Sequence, residues 1–90
     1  MEWIRAANLK MYDIVSAFKS MAIIDWTKSG FGIKKDDIVY IYVGAPYSRI
    51  MYKTICVAEN VPTDELIDDK KYNLLYYKLV NNIMKLIIIK

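Results

Sequence analysis

The chain has 90 residues, 56% of them apolar and 26% charged, with a net charge of +3 and no histidine. A chain of this length makes one domain, here residues 1–90, and buries only about 60% of its unfolded surface; its apolar share excludes a disordered polymer. The missing histidine removes the usual neutral-pH base, the usual metal ligand and the Ser-His or Cys-His nucleophile pair. Catalysis would then rest on Asp, Glu, Lys or Tyr alone, so the expectation is a non-enzyme without metal or cofactor.

Cys56 is the single cysteine, which excludes an internal disulfide and a cysteine-rich zinc site. It falls inside an apolar strand, where an inert buried thiol is expected. The mildly basic charge is compatible with nucleic acid but does not imply it. The opening residues lack the basic-then-apolar order of a secretory signal. The late apolar run Leu86 to Ile89 is far shorter than the roughly 20 residues of a membrane helix. These observations predict a cytoplasmic protein with no membrane association.

In chain order, residues 1–7 read as a short strand interrupted by Glu2 and Arg5, and residues 8–11 as a connector. Asp13 is placed to cap a helix in which Ile14, Val15, Ala17, Phe18, Met21 and Ala22 recur at helical spacing. Residues 23–26 follow as an apolar tail. Gly30 and Gly32 mark a loop, and Lys34 to Asp37 a turn. Asp37 to Val43 then alternates Val39, Ile41 and Val43 on one face with Ile38, Tyr40 and Tyr42 on the other. Both faces are largely apolar, which predicts a strand covered on both sides, as in a small closed barrel.

Gly44-Ala45-Pro46-Tyr47-Ser48 joins this strand to a second, Arg49 to Ala58. Pro62 with Thr63-Asp64-Glu65 predicts a helix start, and residues 68–71 an exposed corner. Tyr72 to Val80 permits helix or strand, Asn81-Asn82 suggests a turn, and residues 83–89 a final strand.

Few of these residues carry chemistry. Trp26, beside a polar loop, has two readings: a stacking face for a base, or a ring closing the barrel end. The Gly44–Ser48 connector offers backbone freedom, a phenol and a hydroxyl next to aromatic residues, although Gly and Pro are also what any hairpin turn uses. Lys34, Lys35, Arg49 and Lys53 are expected near one end of the strand pair. There Lys35, Arg49 and Lys53 would meet phosphates, and an ordinary solvated surface is the alternative. Asp36, Asp37, Asp64, Glu65, Asp68 and Asp69 read as turn and helix-end charges, not as catalytic pairs.

The order of several segments resembles an EVE-type domain of the PUA-like superfamily. The matching pieces are Trp3-Ile4 then Asn8, Tyr12-Asp13-Ile14 with Ala17-Phe18, and Ile24-Asp25-Trp26-Thr27-Lys28-Ser29. Asp37-Ile38-Val39-Tyr40-Ile41-Tyr42, the Gly44–Ser48 connector and Ile50-Met51-Tyr52-Lys53 complete the series, over about residues 3–62. The resemblance implies an α+β fold, a small bent PUA-like β-barrel with flanking short helices, and a pocket for a flipped-out or modified nucleobase. It places Trp26 as the stacking ring, Asn8 and Ser48 on a base edge, Gly44 at a close approach, and Tyr42 and Tyr47 as wall and rim. Asp36-Asp37 stands where the family usually carries a Gly-Asp turn. Related domains continue with further strands that residues 71–90 do not match, so the resemblance implies a domain shortened at its C-terminus.

The function expected is recognition of a nucleobase, modified or not, in DNA or RNA. The alternative is a structural or interaction module that homodimerises through its aromatic strands and apolar tail.

Overall fold

The computed structural model describes residues 1–28, 31–69, 71–72 and 83–89, with the backbone alone at position 63. Apolar residues at every second position build five strands: β1 (Glu2–Ala7), β2 (Ile23–Thr27), β3 (Ile38–Val43), β4 (Arg49–Ala58) and β5 (Ile83–Ile89). One helix, α1 (Ile14–Ser20), follows β1, and a 3-10 turn (Thr63–Glu65) follows β4. The architecture is mostly β, with a single short α-helix among the described residues. The expected helix after Pro62 is only that one turn, and Asn81-Asn82 with residues 73–80 lie outside the described residues.

The strands form one mixed sheet in the order β1-β3-β4-β5-β2. β1 runs parallel to β3, and the other three pairings are antiparallel. The sheet is open, which corrects the closed barrel: β1 and β2 form its two edges. A side chain spans the seam instead, since Arg5 Nη1 donates to the carbonyls of Thr27 and Lys28 at 2.8 and 3.1 Å.

Asp13 caps α1 as expected, its carboxylate accepting from Ser16 N–H at 3.2 Å. The helix stops sooner than the apolar spacing suggests, because Met21 turns to extended backbone. The chain then enters β2, so the apolar tail of the sequence reading is an edge strand. Ile14 and Ala17 bury against Ile24, Ile33, Val39, Ile41, Val43, Cys56, Met84 and Leu86. Phe18 packs on Tyr52 with ring centroids 4.7 Å apart. Each large side chain fully buried here contributes about 1.5–3 kcal/mol.

The two faces of the sheet differ. Val39, Ile41 and Val43 are fully buried, whereas Tyr42 on the opposite face of β3 is exposed. Coverage on both sides of β3 is therefore not found. Among the described residues the outer face is covered toward β5 and β2, where Val61 N–H donates to Ile83 O and Ile67 N–H donates to the Asp25 carboxylate. Toward β1 it stays open, and Ile4 is 60% exposed.

The C-terminal run is no free tail. β5 lies between β4 and β2 with Met84 and Leu86 fully buried, so its backbone is paired on both sides. Its pairing with β4 shifts register between Cys56 and Ala58, which bends the sheet.

Candidate functional site

Parallel pairing sets Ala7 opposite Val43, so the chain leaves β1 and β3 at the same end of the sheet. Asn8 and Gly44 are the first residues beyond it, and Gly44 N–H donates to Ala7 O at 3.1 Å. Tyr47 and Ser48 N–H groups both donate to Gly44 O, at 3.1 and 3.2 Å, which folds the connector into a tight loop. The Ala45–Pro46 bond is cis and Ser48 adopts a left-handed φ of 50°. A Cβ at Gly44 would sit 3.7 Å from Ala7 O, an ordinary contact, so the local backbone does not itself require glycine there.

Asn8 organises its own loop. Its Oδ1 accepts from Lys10 N–H at 2.9 Å, and its carbonyl accepts from Met11 and Tyr12 N–H. The side-chain nitrogen of Asn8 and the hydroxyls of Tyr47 and Ser48 make no hydrogen bond among the described residues. The rings of Tyr42 and Tyr47 are exposed beside them. The structure thus brings Asn8, Tyr42, Gly44, Tyr47 and Ser48 to one end of the sheet.

Trp26 is placed differently. It lies within β2, half-buried against the core, with the Tyr12 ring edge on it at 5.0 Å and 81°. Tyr12 connects it to Asn8 through the backbone bond above, while its hydroxyl donates to Asp69 at 3.0 Å in a buried setting. Burial pushes the Tyr12 phenol well up, and the Asp69 charge and hydrogen bond raise it further. Trp26 is thus part of the core with some of its surface open, and with the sheet open it closes no barrel end.

The cations do not gather at one end. Arg49 pairs with Val43 at the Asn8 end, Lys53 faces Tyr40 in mid-strand, and Lys35 precedes β3 at the opposite end. The six residues of β3 separate Lys35 from Arg49 by roughly 20 Å. Lys53 Nζ instead sits over the Tyr40 ring at 5.9 Å. Arg49 alone among the expected phosphate contacts accompanies the connector. Lys34 and Lys35 are exposed at the far end, where Lys35 N–H donates to Glu59.

That far end holds a cluster the sequence reading passed over. Trp3 Nε1, Lys34 N–H and the Met1 ammonium all donate to the Asp37 carboxylate, at 2.9, 3.0 and 3.1 Å. The Lys34 N–H bond, then those from Trp3 and the ammonium, hold Asp37 down to about 2. Phe31 meets Trp3 edge-on at 6.0 Å and covers the Arg5 guanidinium at 4.8 Å. Trp3 and Arg5 alternate on one face of β1, and that spacing was the available signal. Asp36, in the turn of this end, takes a φ of 75°, a backbone region that glycine adopts most readily.

Cys56 is fully buried, and burial raises its thiol. Among the described residues no group of three or more His, Cys, Asp or Glu side chains is arranged to hold a metal. No helix there is long and apolar enough to cross a membrane.

Compared with known proteins, the chain matches no family model, no curated protein and no solved structure. The site is therefore read from its own groups.

Proposed function

We propose that the chain is a non-enzymatic nucleic-acid-binding domain that receives one nucleobase, modified or not, at the Asn8–Ser48 end of the sheet. The observation that carries the reading is the set of hydrogen-bonding groups on Asn8, Tyr47 and Ser48 that have no partner among the described residues, beside two exposed tyrosine rings. A base stacks on such rings whatever its identity, and the polar groups supply the edge contacts that select it. Trp26 reaches this end only through the Tyr12 ring it packs against, and Arg49, next to Ser48, meets the adjoining phosphate. The order of residues resembling an EVE-type domain of the PUA-like superfamily supports the same ligand, and a cytoplasmic setting belongs to the same proposal.

The test is a titration with short single-stranded and duplex oligonucleotides, with and without modified cytosine or adenine, followed by tryptophan fluorescence and amide shifts. Binding is expected to move the Asn8 and Ser48 amides and to weaken by about 1–3 kcal/mol in Tyr47→Ala. Unchanged affinity in folded Tyr47→Ala and Asn8→Ala variants would remove the proposal.

One observation favours a second reading. Ile4, Tyr42 and Ile50 are exposed on the open part of the outer face, next to the edge of β1 that no described strand pairs. A second copy docked there would cover both. Sedimentation equilibrium decides it: a dimer that Ile4→Lys dissociates supports this reading, and a monomer at all concentrations ends it.

A further inference from the structure

Arg5 is a half-buried cation with no acidic partner among the described residues. Its Nη1 is committed to the carbonyls of Thr27 and Lys28, and no carboxylate pairs with it among the described residues. Nε and Nη2 have no partner there either. Among the described residues no buried side-chain nitrogen or oxygen lacks a hydrogen bond, so these two nitrogens reach the surface. Together Nε and Nη2 form the side of the guanidinium fork that binds an oxyanion through two parallel hydrogen bonds.

The surroundings suit an anion. Lys28 is neutralised by Glu59 at 3.0 Å, and Asp37 is occupied by the N-terminal ammonium, Trp3 and Lys34 N–H. Lys34 and Lys35 remain exposed without a carboxylate partner among the described residues. Desolvation by burial weakens the hold of Arg5 on its proton, and that cost of burying the charge is what an incoming anion would offset. Phe31 lies against the guanidinium at 4.8 Å and is itself 45% exposed, so an aromatic ring attached to the anion has a surface to stack on.

We propose that the seam between β1 and β2 is a phosphate-binding site in which the Nε/Nη2 edge of Arg5 grips the phosphate and Phe31 stacks an attached base. The phosphate comes from a free nucleotide or from a nucleic-acid backbone. The site lies at the end of the sheet opposite Asn8 and does not rest on base recognition there.

The experiment follows the Arg5 Nε–H and Trp3 Nε1–H signals of the full chain by NMR. Inorganic phosphate, adenosine monophosphate and a short oligothymidylate are added in turn, with sodium chloride as the ionic-strength control. Phosphate is expected to move the Arg5 signal saturably while chloride does not. A free-nucleotide source appears as tighter binding of the monophosphate than of the oligonucleotide. A backbone source appears as the reverse, with a steep loss of affinity in salt. Arg5→Lys keeps the charge but loses the fork, and is expected to weaken phosphate binding about tenfold or more. Phe31→Ala, at an exposed position, is expected to abolish the advantage of the monophosphate over phosphate. Asn8→Ala and Tyr47→Ala are expected to leave this site unchanged. An Arg5 signal that stays still while lysine signals drift, or Arg5→Lys binding phosphate as well as the parent, overturns the proposal. If Arg5→Lys does not fold, the wild-type Arg5 shift and the Phe31→Ala titration decide it.

Discussion

Replacing Lys85 with methionine isolates a carboxylate whose side chain is wholly buried against a cation. Asp25 and Lys85 are cross-strand partners in the β2–β5 pair, with Nζ 2.8 Å from Oδ1. The Asp25 side chain has no exposed surface, while Lys85 retains 20%. Asp25 Oδ2 also accepts from Ile67 N–H, so the carboxylate fastens the segment that covers this part of the sheet. Lys85→Met keeps the apolar stem but leaves the charge with that one donor. Removing one partner of a buried pair costs about 3–5 kcal/mol, and the partial exposure of Lys85 places this case near about 3 kcal/mol. A domain of this size holds roughly 5–13 kcal/mol in total, so the variant stays folded but loses a large fraction. Urea unfolding followed by tryptophan fluorescence reads it as a fall in midpoint of about 3 M, for a slope near 1 kcal/mol/M. Asp25→Asn combined with Lys85→Met removes the stranded charge and keeps an acceptor for Ile67, so it should recover at least half of the loss. A cost below about 1 kcal/mol for Lys85→Met, the size typical of exposed ion pairs, would refute the reasoning.

Asp37 predicts an acid dependence. Its folded pKa, about 2, lies below the ordinary 3.8, so its stabilisation is present above pH 3.8 and is lost as pH falls toward 2. Urea midpoints measured across that window should drop more steeply for the parent than for Asp37→Asn, and parallel curves would reject the assignment. Leu86→Ala, fully buried in β5, should cost about 2–5 kcal/mol, whereas Ile4→Ala on the open face should stay within about 0.5 kcal/mol. Equal losses at the two positions would show that the open face is covered in solution.

The local elements were legible because their signals are local. Asp13 before an apolar helical spacing places the start of α1, and alternation over 49–58 places β4 with both its ends. Ile83–Ile89 reads as a strand for the same reason. The connector was recognisable from Gly44, Pro46 and Ser48, and its neighbour Asn8 joined it only through the resemblance. Residues 23–26 misled because so short a run after a helix carries too few alternations to distinguish a strand from a trailing coil. Trp26 was ambiguous for a related reason, since loop-edge and core tryptophans carry the same local signature.

Four of the five strands, the helix cap and the lack of histidine were legible in the chain alone. Each depends on residues a few positions apart. Only the tertiary structure decided which strands pair, and every functional placement follows from that. Parallel pairing of β1 with β3 puts Asn8 beside Gly44 across 36 positions of chain and leaves Lys35 at the opposite end from Arg49. Insertion of β5 between β4 and β2 turns an apolar tail into a sheet interior. The open seam gives Arg5 its half-buried place with no acid paired to it among the described residues. Strand order is set by long-range burial and backbone hydrogen bonding, to which no short stretch of sequence is sensitive.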